Sequence, residues 1–208
     1  MIIVVEGISA AGKTTYSRQF GDHIVVPEIP AKDTRPDADA SLDDHARFWA
    51  EHNVRRFQMA LEVEREHGFA ICDTDPMKIH YSWCMERAGH PWPDKFANAR
   101  RAVRATIADG RLGFADLYLV KPIAPDVARA QKQADTGRRR GNFERHLSLQ
   151  PHLMHWFEAT SQVFPGRVRW EYPDREIVLD SIQNETPETN PRRYDVTAFD
   201  ALIEGLPT

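Results

Sequence analysis

The first fifteen residues, MIIVVEGISAAGKTT, constrain this chain more than any other stretch. Ile2–Val5 is a short β-branched run closing toward a glycine, which predicts a buried strand of a parallel sheet rather than a helix. Gly7, Gly12, Lys13 and Thr14 then satisfy G-x-x-x-x-G-K-[ST] without a gap. Such a loop wraps a phosphate in backbone N–H groups. It also leads into a helix whose positive dipole end faces the same anion. Ser9, Ala10 and Ala11 are small, so the backbone can approach the ligand closely. Lys13 offers a point charge for the outer phosphates, Thr14 a hydroxyl for Mg²⁺, and Thr15 adjoins them. An ordinary β-turn-α connection with a solvated lysine is the other reading. A strand pattern before the loop and a helical one after it favour the phosphate loop.

The chain has 208 residues, 41% of them hydrophobic, enough for one domain spanning 1–208 with a real core. Its formal net charge is −4. A protein that lives on phosphodiester backbones is usually basic, so nucleic acid is not the expected partner. No apolar stretch has the length of a membrane span, and no basic segment precedes the first apolar run. Cys72 and Cys84 form no C-x-x-C pair, which fits a reducing cytoplasmic setting. The nine histidines show no metal-binding spacing.

Strand patterns are expected over 2–5, 23–26, 69–72 and 116–120, with a fifth at 168–172 or 176–179. Helical patterns are expected over 13–20, from Ser41 to about Glu66, and over 97–108, 125–134, 143–161 and 197–206. Ser41 and Asp44 resemble a capping box at the start of the long helix. Pro151 must kink or split the element that contains it. Strands alternating with helices imply βαβ units, right-handed crossovers and a parallel sheet, hence an α/β chain.

Three further stretches fall where such a sheet delivers groups to its carboxyl edge. In VVPEIPA, Glu28 sits just past the second strand, where a carboxylate can take a proton from an attacking hydroxyl; a plain surface glutamate is the alternative. In FAICDTDP, Asp73 follows an apolar strand as a Mg²⁺ ligand would, and Asp75 is placed to share that task or act as the base. Asp-Thr-Asp-Pro is equally good turn chemistry. In TGRRRGNFERH, Arg138, Arg139 and Arg140 precede an amphipathic helix. They read either as a lid over about 135–145 that closes on triphosphate or as a solvated basic patch.

This combination resembles the P-loop kinases of the nucleoside and nucleotide kinase group, deoxynucleoside and thymidylate kinases especially. The resemblance covers most of residues 1–165. It rests on GISAAGKT at 7–14, VPE at 26–28, CDTDP at 72–76, LYLVKPIAPDVARA at 117–130 and RRRGNFE at 138–144. It implies a three-layer P-loop fold with a five-stranded parallel sheet ordered 2-3-1-4-5, flanking helices and an Arg-rich lid. By the resemblance, Glu28 matches the catalytic base of deoxynucleoside kinases. Arg138 and Arg140 match lid cations of the catalytic set, and Arg139 a nucleotide contact. The pattern departs from those families after the third strand, where their signature carries an arginine and this chain has none. That widens the acceptor class to other hydroxyl compounds, including antibiotics, as in chloramphenicol phosphotransferase-like kinases.

The leading expectation is therefore an ATP- and Mg²⁺-dependent phosphotransferase acting on a small-molecule hydroxyl, a nucleoside first. Glu28 favours it, because a hydroxyl needs a base and a phosphate acceptor does not. The catalytic set is Lys13, Glu28, Asp73, Arg138 and Arg140. The metal set is Thr14, Asp73 and Asp75. The alternatives are a thymidylate-like monophosphate kinase, with Arg35, Arg55 and Arg56 as candidate acceptor-phosphate cations, an antibiotic O-phosphotransferase, and a regulatory NTPase. The regulatory reading suffers from the absence of an N-K-x-D sequence. A homodimer is compatible with all of them. Trp49, Phe57, Tyr81, Trp83 and Trp92 are candidates either for an acceptor pocket or for the core.

Overall fold

The computed structural model of the chain describes residues 1–28, 35–37, 39–90, 95–134, 142–184 and 192–207. Its centre is strand β1, Ile2–Glu6, whose five residues are all buried. β1 pairs in parallel with β3, Ala70–Asp73, on one side and with β4, Leu117–Val120, on the other. Two-residue strands β2, Val25–Val26, and β5, Val168–Arg169, add to β3 and β4. The result is an all-parallel sheet of order β2-β3-β1-β4-β5, the order expected.

Side chains alternate across this sheet with period two. Ile2, Val4, Ala70, Cys72, Tyr118 and Val120 point into one core, and Ile3, Val5, Ile71, Leu117 and Leu119 into the other. Both faces are thus covered, which is why β1 reads as an unbroken apolar run. The larger core is closed by α2 (Leu42–His67), α3 (Ile79–Arg87), α4 (Lys95–Ala108), α7 (Gln150–Val163) and α9 (Val196–Glu204). The smaller one is closed by α1 (Lys13–Ser17) and α8 (Arg175–Asn184). Two short helices, α5 (Pro125–Ala134) and α6 (Phe143–Ser148), flank residues 135–141.

Ser41 caps α2 as its sequence predicts: its hydroxyl accepts from the Asp44 amide at 3.1 Å. Gly68 ends the same helix in the left-handed region at φ 84°, its amide bonded to Glu64. Pro151 splits rather than kinks its element, sitting in the first turn of α7, where its missing N–H costs nothing.

Several expectations need correction. The first helix stops at Ser17 and continues as a single 3₁₀ turn, Arg18–Phe20. Residues 176–179 are not a strand but the start of α8. The Asp174 carbonyl accepts from the amides of Ile177 and Val178, and Val178, Leu179 and Ile182 make a helical stripe on the core. The fifth strand is the 168–172 candidate, reduced to two residues. Helix α3 was not foreseen, because its His, Trp and Cys residues are weak helix formers; Ile79, Trp83 and Cys84 nonetheless share one buried face. Phe57 and Trp83 are core, while Trp49 is 40% exposed and Trp92 lies outside the described residues. Both cysteines are buried free thiols. Among the described residues no helix is long and apolar enough to cross a membrane.

Candidate active site at the carboxyl edge of the sheet

Where β1 ends, the chain turns sharply through residues 7–12. A Cβ at Gly7 would lie 2.9 Å from the Ala11 methyl and 3.1 Å from both the Lys121 carbonyl and the Tyr172 hydroxyl, so only glycine fits. Gly12 has open space around it but sits at φ 87°, which glycine adopts without strain. Ala10 is left-handed at φ 73°. Ser9 and Ala10 form the turn, and the Ala11 amide closes it onto the Ile8 carbonyl at 3.1 Å. Alternating backbone conformations of this kind direct successive N–H groups into one concavity suited to an anion. Helix α1 is only five residues long, so the loop amides, rather than a macrodipole, carry the anion-binding case. Lys13 folds back over the loop, donating to the carbonyls of Gly7 at 2.6 Å and Ile8 at 3.2 Å.

The pairing of β1 with β3 sets Val5 opposite Asp73 and brings the third strand's exit beside the loop. There the Thr14 hydroxyl donates to the Asp73 carboxylate at 2.6 Å. These two hard oxygen donors fit Mg²⁺, which keeps most of its waters and needs only one or two protein oxygens. Asp75 is placed differently. It is 4% exposed, and its carboxylate accepts from the Met77 amide at 2.9 Å, which is the turn chemistry its sequence also allowed. Burial pushes that carboxyl up to about 7, against the pull of the Met77 amide and Arg56.

Glu6, not among the expected site residues, joins the two halves of the site. It is 2% exposed and accepts from the Gly7 amide and the Asp75 amide, each at 3.0 Å. His80 approaches the same carboxylate at 3.5 Å. Burial works to raise the Glu6 carboxyl, but His80, Lys13 and the two amides outweigh it and hold the group below its usual range. Burial also pushes the His80 imidazole down to about 4 against the pull of Glu6, so it stands neutral. The bonded partners of Glu6 are then the Gly7 and Asp75 amides, with the Lys13 charge adding to their pull. A signal was available: an acid closing an otherwise apolar strand is buried by its neighbours and must be partnered.

Arg56 was a candidate for holding an acceptor phosphate, and the structure puts it elsewhere. It is 1% exposed and donates to the carbonyls of Asp73 and Thr74 at 3.0 Å each, Pro27 at 3.3 Å and Asp75 at 3.4 Å. It therefore fixes the ends of β2 and β3 relative to each other. Arg55 is exposed, and Arg35 stacks over Trp49 at 5.5 Å.

Glu28 stands at the mouth of the site, 51% exposed, and pairs with the Lys78 ammonium. Ala10, Thr74 and Lys78 are the non-glycine residues with positive φ among those described. All three lie at this edge of the sheet. Such conformations cost roughly 1–3 kcal/mol each and persist where the surroundings impose them.

On the other side of Gly12 and Thr15 lies a cavity of ≈ 420 Å³, bounded by Gln19, Lys121, Tyr172 and Asp174. Tyr16 and Tyr172 form its aromatic wall. Tyr172 stacks on Tyr16 at 4.8 Å, donates to the Glu6 carbonyl at 2.8 Å and carries the Lys121 ammonium 5.3 Å from its ring centre. No spacing pattern announces Lys121, Tyr172 or Asp174, because they come from the segments after β4 and β5.

Arg138, Arg139 and Arg140 lie outside the described residues. Of the segment's flanks, Glu144 pairs with Arg129 at 3.0 Å, and His146 meets the Tyr81 hydroxyl at 3.3 Å. Among the described residues no group of three His, Cys, Asp or Glu could hold a metal ion by itself.

No protein-family model matches the chain, and no curated protein is significantly similar to it.

Proposed function

We propose that this chain is an ATP-dependent phosphotransferase of P-loop kinase fold that moves the terminal phosphoryl group of ATP to a hydroxyl of a small molecule, a nucleoside being the first candidate. The observation that carries the reading is the 2.6 Å bond between Thr14 and Asp73 beneath a glycine-framed loop covered by Lys13. A lone loop motif has many meanings. A loop hydroxyl bonded to the acid of the adjacent parallel strand has far fewer.

In this reading the loop amides other than that of Ala11, together with Lys13, hold the outer phosphates, replacing the carbonyl bonds Lys13 makes here. Thr14 and Asp73 would hold Mg²⁺, which neutralises phosphate charge and orients the terminal group. The cavity beside Gly12 and Thr15 is of a size for a nucleoside moiety and continuous with the loop, so it takes the base and ribose. Glu28 faces the acceptor and accepts the hydroxyl proton as the oxygen attacks in line. Arg138, Arg139 and Arg140 remain the proposed lid.

A monophosphate acceptor would need cations for its own phosphate. Arg56 is not available for this, being committed to four backbone carbonyls. This favours the hydroxyl acceptor. The buried free thiols Cys72 and Cys84 fit a reducing, cytoplasmic setting.

The test is ADP release from ATP and Mg²⁺, with and without a panel of nucleosides, nucleotides and hydroxylated antibiotics, and with GTP in place of ATP. The proposal expects near-silence without acceptor and strong stimulation by one hydroxyl compound. Slow turnover indifferent to every acceptor, with a preference for GTP, would point to a regulatory NTPase.

A further inference from the structure

The segment between β3 and α3, Asp73 to Lys78, carries a single cation, Lys78. It sits at the N-cap of α3 with φ 45°, a strained setting for a long side chain. Its ammonium is paired with Glu28 at the mouth of the site. It also lies within electrostatic range of Lys13: burial brings Lys78 down to about 8, and Lys13 adds to the fall while Glu6 opposes it. His80, two residues along α3, approaches the Glu6 carboxylate at 3.5 Å, and Glu6 in turn accepts from the Gly7 amide at the start of the loop. Lys78 thus opens α3 beside the loop that Lys13 covers. Lys13 donates there to the Gly7 and Ile8 carbonyls, and Lys78 pairs with a half-exposed carboxylate.

We propose that Lys78 is a second phosphate-contacting cation of the site, held by Glu28 while the site is empty and transferred to the terminal phosphoryl group when that group binds, which leaves Glu28 free for the acceptor hydroxyl. The inference rests on the phosphotransferase reading above.

The exchange solves a difficulty in that reading. A carboxylate locked to an ammonium is a poor proton acceptor, and a lysine locked to a carboxylate cannot stabilise phosphoryl charge. Breaking the pair frees both groups at once. During transfer, the bond from phosphorus to the bridging oxygen of ADP breaks and a bond from phosphorus to the acceptor oxygen forms. The hydroxyl proton passes to Glu28. Lys78 gains and loses no covalent bond; it neutralises the equatorial oxygens together with Lys13.

The experiment uses a fluorescent ADP analogue with Mg²⁺, titrated with and without beryllium fluoride as the mimic of the terminal phosphoryl group. Two variants make opposite predictions. Lys78→Asn places at φ 45° a residue that tolerates the left-handed region well, so the fold should be kept. It should leave ADP affinity within about threefold but abolish about tenfold or more of the tightening produced by beryllium fluoride, the size of one charge-assisted contact. Glu28→Gln, which releases Lys78, should bind the fluoride complex at least as tightly as wild type. Equal tightening in wild type and Lys78→Asn would overturn the assignment of Lys78 while leaving the phosphotransferase reading intact. A wild-type protein that binds neither ADP nor the fluoride complex would overturn both.

Discussion

The Thr14 hydroxyl donates to the Asp73 carboxylate across 59 positions of sequence, at 2.6 Å. The contact exists because β1 and β3 are neighbours in the sheet although α1, β2 and α2 intervene in the chain. If this pair seats Mg²⁺, Thr14→Val should preserve the fold, since valine has threonine's shape. It should raise the Mg²⁺ concentration needed for half-maximal ATP binding by about 10-fold or more. A Mg²⁺ titration of ATP affinity reads this directly, and an unchanged requirement would make the bond merely structural.

Lys13→Ala separates the loop's chemistry from its architecture. The ammonium donates to Gly7 and Ile8 carbonyls that water can also satisfy, and no cavity opens when it is removed. Thermal stability should stay close to wild type. Turnover should fall by about 10²–10³, corresponding to roughly 3 kcal/mol of lost charge stabilisation. Near-normal turnover in a folded variant would remove the phosphate-loop reading.

His80 predicts a pH dependence of stability. Its imidazole goes from an ordinary 6.5 to about 4 on burial. A group whose folded value is depressed contributes stability that is fully present above the unfolded value. For His80 that stability is lost as pH falls from about 6.5 toward about 4. Glu6, also held low, works in the same direction, so the His80 part is isolated by difference. Urea unfolding of wild type and His80→Gln at pH 7 and pH 5, at constant ionic strength, should show the smaller loss in the variant. Equal losses would mean that the imidazole is already charged in the folded protein.

The parts of this site written in local sequence were legible, and the parts made by packing were not. Gly7, Gly12, Lys13 and Thr14 announce themselves because a phosphate loop needs its residues at fixed neighbouring positions. Asp73 was found because a polar residue ending a four-residue apolar strand has few reasons to be there. Asp75 resembled it in sequence, yet its carboxylate turns back onto Met77. That choice depends on whether the side chain is buried, which spacing does not encode. Arg56 looked like a free cation on an amphipathic helix. Only the tertiary fold places four backbone carbonyls around it. Tyr172 is invisible for the same reason, its partners lying on other elements, whereas Glu6 carries a signal in sequence as an acid closing an apolar strand. The sheet order followed from the kinase resemblance, while α3 gave no clear helical signal because of its weak helix formers, and the 176–179 alternative for the fifth strand falls on α8, where helix and strand propensities overlap.

The most direct test of the hydroxyl-acceptor claim is Glu28→Gln, assayed by transfer of labelled terminal phosphate from ATP to the acceptor found in the panel. The amide keeps the size and one acceptor oxygen but takes no proton at neutral pH. The account predicts no loss of ATP affinity, a modest change in acceptor affinity, and a rate constant lower by about 10²–10⁴. Full-rate transfer by Glu28→Gln, with turnover lost instead in Asp75→Asn at saturating Mg²⁺, would contradict it and move the proton acceptor to the segment after β3.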